Sequence, residues 1–521
     1  MSTALDEGVD AGHAPADTAR STRMPPWLVP AAVGAVVAVG IALRFVQRSP
    51  LWLDEALSVN IARLPVDDLL EALRHDGHPP LYYLLLHYWM EVVGDGDVAV
   101  RALSGVFAVA SLPLVWVAGR RLAGTAGARW ALVVAALSPY WVRYATETRM
   151  YSLVMLGVLA GYLLLDDALD RPTWPRLGGL ALLSGLLLLT HYWAIYLLAA
   201  VGLLLVARAW RHPAQRPETV RVVVAVAAGG LLFLPWLGGF LYQSSHTGTP
   251  WGKPFRPTAI VQSTLMDMGG GTVSEASLYA SVVVVLVALA LFTARSGGHE
   301  MVLDLRTVPT VRREVGVAVL VLAIGGVLGL ATDATFQSRY AAVLVPLVLL
   351  AVAVGIVRVP GIGRLVVGAI YIGVALFGVA WVNYYQRTQS AEVAAAVADR
   401  AQPGDVVVYC PDQLGPAYSR EMPAGLDELT YPTQASPERV DWVDYAQRNE
   451  AADVAQIAAE IRRRAGDHAI FLVWMSEYAT YGQQCETLVG ELGLTENLVV
   501  QDEGRFYEPA SLHWAPAAGT P

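Results

Sequence analysis

Polar islands interrupt an otherwise apolar chain, and their residue types can do chemistry. Asp54 and Glu55 lie in Trp-Leu-Asp-Glu. His78 opens His-Pro-Pro-Leu-Tyr-Tyr, which also carries Tyr82. Arg101 begins an apolar run. Glu147, Arg149 and Tyr151 share Tyr-Ala-Thr-Glu-Thr-Arg-Met-Tyr. His191 and Tyr192 are adjacent, as are Arg339 and Tyr340. A carboxylate can take the proton of an attacking hydroxyl, and arginines hold phosphate by bidentate pairing. The set therefore suits a displacement in which a phosphate leaves. A sugar on a lipid phosphate already has a good leaving group, so it needs cations more than a strong acid. Asp54 fits the base. Glu55 or Glu147 could orient the acceptor or raise the basicity of Asp54. Arg149, Arg339 and His191 are candidates for the phosphate, with Tyr340 and Arg101 beside them. His78, Tyr82, Tyr151 and Tyr192 would shape the site. One in-line attack would invert the anomeric centre.

Each island also has a plain structural reading. Asp54 and Glu55 could be solvated loop charges, and His78-Pro79-Pro80 a turn before a helix. Arg101, Arg149 and Arg339 could anchor helices at lipid headgroups. His191 could belong to an interfacial aromatic belt, and Glu147 with Arg149 could be an ion pair. What favours chemistry is that all of them fall on one side once a topology is drawn, because ionisable groups at span ends are costly.

The elements that must position these residues are membrane spans. The chain has 521 residues, 55% hydrophobic and 16% charged, with mean hydropathy +0.45. A soluble chain carries about 25% charged residues. Apolar runs reach span length near 26–45, 98–119, 126–141, 151–168, 177–190, 193–209, 220–241, 277–294, 315–331, 340–357 and 362–383. The fold class expected is a polytopic α-helical membrane protein of about eleven helices. Arginines cluster at Arg120, Arg121 and Arg129, at Arg171 and Arg176, at Arg208 to Arg221, at Arg295 to Arg313 and at Arg358 with Arg364. These alternate as cytoplasmic loops do if the N-terminus is inside; Arg44 and Arg48 are exceptions. Residues 1–25 read as a disordered cytoplasmic tail, 26–385 as the transmembrane catalytic domain and 386–521 as a small α/β domain outside the cytoplasm. In the first outer loop, Val66–Arg74 is amphipathic. Leu81–Val93 is too short to span comfortably and reads as a helix in the interface.

From Ser390 onward, 21 acidic residues face 8 arginines, a balance of −13 against −9 for the whole chain. The C-terminal region is thus a separate acidic, water-exposed unit. Its patterning predicts helices at 391–401, 452–465 and 482–492 and strands at 405–410, 469–474 and 497–501. It holds Cys410 and Cys485, the two cysteines of the chain. Outside the cytoplasm they are candidates for a disulfide; otherwise they are two buried thiols. No basic stripe suggests nucleic acid.

The same motifs, Trp52-Leu-Asp54-Glu55, His78-Pro79-Pro80-Leu-Tyr-Tyr, Arg101-Ala-Leu-Ser, Tyr144-Ala-Thr-Glu147-Thr-Arg149-Met-Tyr151 and Ser338-Arg339-Tyr340, resemble the C-class (GT-C) glycosyltransferases. Within that class the chain looks like the bacterial form of the protein O-mannosyltransferase and aminoarabinose-transferase group, over about residues 26–385. No single motif is specific; the ordered set is. The resemblance implies a polyprenyl-phosphate sugar donor, with a mannose- or arabinose-like sugar, and a catalytic aspartate in the first outer loop, which maps to Asp54. The acceptor would be a glycan, lipid or protein, and membrane lipids surround the site. No cofactor is required. Relatives with lipid-pyrophosphate donors use a divalent metal, and a weak site from Asp54, Glu55 and His78 is conceivable. The expected location is the cell membrane.

Two other classes compete. A transporter or flippase of lipid-linked sugars would also need spans and arginines, but such proteins tend to repeat halves around a midplane site. A non-catalytic envelope protein could bind glycan through Trp442, Trp474, Tyr478, Tyr481 and Trp514.

Overall fold

The computed structural model describes residues 25–248, 256–271, 273–297, 300–332, 335–476 and 478–517. The expected N-terminal tail lies outside the described residues. The membrane part runs α1 (Leu28–Leu43), α2 (Leu53–Ala62), α3 (Val66–Asp76), α4 (Leu81–Val93), α5 (Asp97–Ala136), α6 (Pro139–Ala145), α7 (Tyr151–Asp170), α8 (Trp174–Thr190), α9 (Trp193–Arg211), α10 (Arg216–Ala228), α11 (Gly230–His246), α12 (Pro257–Met268), α13 (Ser274–Phe292), α14 (Pro309–Thr332), α15 (Val345–Arg358) and α16 (Gly363–Tyr384). A short hairpin, β1 (Thr293–Gly297) with β2 (Glu300–Leu303), joins α13 to α14.

Seven helical stretches among the described residues are long and apolar enough to cross a membrane, and α1, α8 and α15 are shorter apolar helices. α5 is broken at Ala123 and Gly124, which leave helical geometry. Gly124 has φ +61, a left-handed conformation that glycine adopts without strain. Across the break Gly119 abuts Gly127 and Ala131, so the two arms fold back on one another. All the apolar runs expected to span are helical, the two in 98–141 being these arms with α6.

Small residues let the helices meet. A Cβ at Gly355 of α15 would overlap the Leu286 carbonyl of α13, the close approach that membrane interfaces favour. The Arg44 exception now has a cause. Its side chain is fully buried and donates to the carbonyls of Ala135 (2.7 Å) and Ala136 (3.0 Å) at the end of α5. Those carbonyls have no partner within their own helix.

The first outer loop forms α2, α3 and α4; its patterning predicted α3 and α4 but not α2, which carries Asp54 and Glu55. α3 ends at Gly77, φ +91, whose amide donates to the Leu73 carbonyl. That left-handed cap turns the chain so that His78 leads into Pro79-Pro80 and α4.

Beyond α16 the chain forms β3 (Gln386–Thr388), α17 (Ser390–Ala398), β4 (Val406–Cys410), α18 (Gly415–Tyr418), β5 (Asp427–Thr430), α19 (Tyr445–Glu450), α20 (Val454–Ala465), β6 (Ile470–Trp474), α21 (Gln484–Glu491), β7 (Leu498–Val500), β8 (Phe506–Glu508) and β9 (Ser511–Ala515). Five strands form one sheet in the order β5-β4-β6-β9-β7. β4 pairs in parallel with β5 and β6; β9 runs antiparallel to β6 and β7. Val406, Val408, Leu429 and Leu472 pack under α20 and α21 residues such as Ile461 and Leu488. Cys410 of β4 is bonded to Cys485 of α21. β3 leaves this sheet and pairs with β8.

Candidate functional site

The islands converge where α2, the α6–α7 turn and the segment before α15 meet. Asp54 and Glu55 sit in the first turn of α2, where the helix dipole favours negative charge. They point to different environments. The Asp54 carboxylate is partly exposed, and its Oδ2 lies 2.9 Å from Arg339 Nη1. That oxygen makes no hydrogen bond among the described residues, so the contact is ionic and poorly aligned. Arg339 also packs its guanidinium 5.6 Å from the centre of the Trp52 ring. Its own carbonyl accepts from the Tyr140 hydroxyl at 2.9 Å.

Glu55 is fully buried. Arg101 donates to both its oxygens, at 2.8 and 2.6 Å, the Thr148 amide donates at 3.0 Å, and Arg387 Nη1 lies 3.2 Å away. Burial by itself would raise this carboxyl, but Arg101 and then Arg387 hold it down to about 2. Arg101, expected beside the phosphate, instead spends its donors on Glu55 and on the carbonyls of Ser49 and Pro50. Both residues brace the loop.

Arg149 is buried at the centre. Its Nη1 donates to Ser58 Oγ (2.9 Å), the Tyr83 hydroxyl (3.2 Å) and the Asp54 carbonyl (3.4 Å), and its Nη2 meets His78 Nε2 at 2.8 Å. His78 Nδ1 faces Asp76 Oδ2 at 2.8 Å, so the ring bridges the Asp76 carboxylate and the Arg149 guanidinium. The Tyr83 hydroxyl donates to the same Asp76 oxygen at 2.7 Å. Burial would raise Asp76, yet His78, then Arg149 and Tyr83, keep it below its ordinary value. Tyr82 meets Ser104 Oγ at 3.1 Å, and Ser104 donates to the Arg149 carbonyl. Tyr151, His191 and Tyr340 form a ring ladder, with centroids 5.8 Å and 5.4 Å apart. Tyr192 stands one layer back: it donates to Gln243, whose amide holds the His78 carbonyl at 3.2 Å.

Glu147 is 1% exposed, and its Oε1 has no hydrogen-bond partner among the described residues. Burial raises its carboxyl, and Arg387 and Arg143 only partly offset this. It lines a small cavity with Trp52, Arg143, Arg387 and Tyr507. A second cavity is almost wholly apolar; Val158, Leu187, Leu197 and Leu347 line it, with Arg313 and Glu314 at its wall.

Three positions were missed from sequence. Arg387, just past the last span, donates to the Thr146 carbonyl at 2.7 Å and to its hydroxyl at 2.9 Å. Asp267 at the end of α12 pairs with Arg143 at 2.9 Å and accepts from Tyr144 at 2.8 Å. Tyr507 of β8 meets the Trp52 ring at 5.0 Å and 88°. The arginine abutting the final span was the one available signal; the others depend on tertiary contacts.

The weak metal site is not formed. Glu55 turns to arginines, His78 turns to Asp76 and Arg149, and no cluster of three His, Cys, Asp or Glu side chains suited to a metal occurs among the described residues.

Residues 77–238 match the family model described as dolichyl-phosphate-mannose-protein mannosyltransferase. The chain superposes on ArnT from Cupriavidus metallidurans in the apo state with a TM-score of 0.58 at 13% identity, covering 93% of this chain and 98% of that one. Against the same protein bound to undecaprenyl phosphate the TM-score is 0.55 at 13% identity, covering 94% and 97%. The Archaeoglobus fulgidus oligosaccharyltransferase tethered with an acceptor peptide gives 0.48 at 9% identity, covering 91% and 72%. A sequence comparison with curated proteins gave no match. The fold is that of the C-class glycosyltransferases, as the motifs implied. Within that class, the stretch carrying His78, Arg101, Glu147, Arg149 and His191 has the sequence pattern of the mannosyltransferase family model.

Proposed function

We propose that this protein transfers a glycosyl group from a polyprenyl-phosphate sugar to an acceptor hydroxyl at the extracytoplasmic face of the cell membrane, with inversion. The observation that carries the reading is the Asp54 carboxylate, whose Oδ2 has no hydrogen bond among the described residues while Arg339 lies beside it and Arg149 contacts its backbone. A base and two cations are thus grouped at one helix start. Arg339 and Arg149 would bind the donor phosphate and stabilise the charge that grows on it as the glycosidic bond breaks. Asp54 would take the proton of the acceptor hydroxyl as its oxygen attacks the anomeric carbon. The apolar cavity would receive the lipid tail. A mannose-like sugar is what the family match to 77–238 supports; an arabinose-like sugar rests on the motif resemblance alone. The neighbour ArnT, in its complex with undecaprenyl phosphate, lends support for a lipid phosphate donor. The N-terminus would be cytoplasmic and the C-terminal domain outside.

Asp54→Asn tests the reading. Sugar transfer falls by about a thousandfold or more, the loss expected when a positioned base and its charge are removed. Folding and donor binding stay near normal. Full turnover in that variant would remove Asp54 as the base.

A further inference from the structure

We infer that Glu508 of the C-terminal domain is a positioning residue for Asp54, capping the start of α2 and so fixing the turn that carries the base; this rests on the transferase reading above. α2 does not cap itself. Its N-cap residue is Trp52, whose side chain makes no capping hydrogen bond. Trp has no oxygen to offer the free amides of a first helical turn. Asp54 is the second residue of that turn, so whatever holds the turn also aims its carboxylate.

The C-terminal domain meets this turn at three points. The Tyr507 ring meets the Trp52 ring at 5.0 Å. The Leu53 side chain packs against the core beneath α20 and α21. Glu508, 7% exposed, directs its carboxyl at the Leu53 amide and the Thr388 hydroxyl. Its strand is tied down as well. The Glu508 carbonyl accepts from the Tyr418 hydroxyl at 3.0 Å and from the Gln389 amide at 3.2 Å. In the paired strand β3, the Arg387 amide donates to Ser49 Oγ at 2.9 Å, just ahead of α2.

The chemistry of the group fits a cap. A carboxyl oxygen accepts from a first-turn amide. Burial pushes this carboxyl well above the ordinary carboxylate range, more than the Thr388 hydroxyl and the Leu53 amide draw it down. It therefore serves near neutrality as an uncharged acceptor, as a glutamine would. Its Oε2 makes no hydrogen bond among the described residues. A buried carboxyl with one idle oxygen costs stability. The compensating contact is the Leu53 amide, which has no partner inside α2. The C-terminal domain thereby becomes part of what holds the base in place.

The test uses the full chain, in detergent for hydrogen exchange and in membranes of the producing cells, which hold the acceptor, for turnover. The donors are polyprenyl-phosphate mannose and polyprenyl-phosphate arabinose. In Glu508→Ala the Glu55 and Ala56 amides, which bond the Trp52 carbonyl, should exchange about fivefold faster. Its kcat per folded molecule should fall about fivefold or more, the worth of an N-cap side chain, with donor KM unchanged. Glu508→Gln keeps the acceptor oxygen and should restore both. Leu53→Pro removes the capped N–H at the helix position that proline favours. Trp52, φ −84 and ψ 172, already has the extended backbone that a following proline needs. In that background Glu508→Ala should change neither readout. Unchanged exchange in Glu508→Ala, lowered thermal stability with normal kcat per folded molecule, a Gln variant as impaired as the Ala variant, or a full Glu508→Ala effect on top of Leu53→Pro would each overturn the cap. No turnover of either donor by the wild type would sink the transferase reading, and exchange at α2 would still decide the cap.

Discussion

Arg339 and Asp54 face each other across 2.9 Å without a hydrogen bond. The pair is close enough to attract and too poorly aligned to lock. In this arrangement the proposed base and the proposed phosphate cation neutralise one another. On the proposed mechanism a donor phosphate would compete for Arg339 and so release Asp54 to accept a proton. Arg339→Gln is expected to raise the donor KM about tenfold to a hundredfold, the usual worth of a charged hydrogen bond. Steady-state kinetics at varied donor concentration measure it; an unchanged KM would place the phosphate elsewhere.

Glu55 has a bracing role that separates it from its neighbour. Glu55→Gln leaves Arg101 and Arg387 buried with less countercharge, a change worth about 3–5 kcal/mol of stability. Thermal unfolding of the two variants should show a large drop for Glu55→Gln and a small one for Asp54→Asn. The folded carboxyl lies at about 2 against an ordinary 4.5. Its stabilisation is therefore complete above about pH 4.5 and fades as pH falls toward 2.

Asp412 behaves in the opposite sense. It is buried beneath Tyr445 and Tyr481, and burial pushes its carboxyl up from 3.8 to about 6 despite their hydroxyls. A charged Asp412 costs about 3 kcal/mol at neutral pH. That cost is absent below pH 3.8 and grows as pH rises through about 6. Asp412→Asn should stabilise the C-terminal domain at pH 7 and flatten its stability between those limits. Hydrogen exchange in α19 and α21 reads this directly.

Topology is open to a reporter. A periplasm-active enzyme fused after Pro521 should be active, as the arginine alternation requires. An inactive fusion would put the C-terminal domain in the cytoplasm and remove the proposed face of the reaction.

The spans were legible because an apolar run of that length has few other solutions. α3 and α4 were legible too, one from amphipathic spacing and one from its shortness. In the C-terminal domain the buried strands β4 and β6 announced themselves through unbroken apolar runs. β5 (Asp-Glu-Leu-Thr) and β9 (Ser-Leu-His-Trp-Ala) did not: each is short and mixed, and becomes a strand only because a neighbour offers its edge. The same limit governs the charged residues. Arg101, Arg149 and Arg339 looked alike at span ends, yet Arg101 is spent on Glu55 while Arg339 keeps an ill-fitting partner. Residue type marked the site; division of labour within it came from partners far away in the chain.

Arg387 follows the last membrane helix, yet it grips Thr146 and sits against Glu55. Those loops are made long before it. During synthesis the early loops stand without their keystone, so the cavity acquires its wall only once the final segment has folded against them. A chain stalled before that point would have its helices in place and this cavity still open on one side.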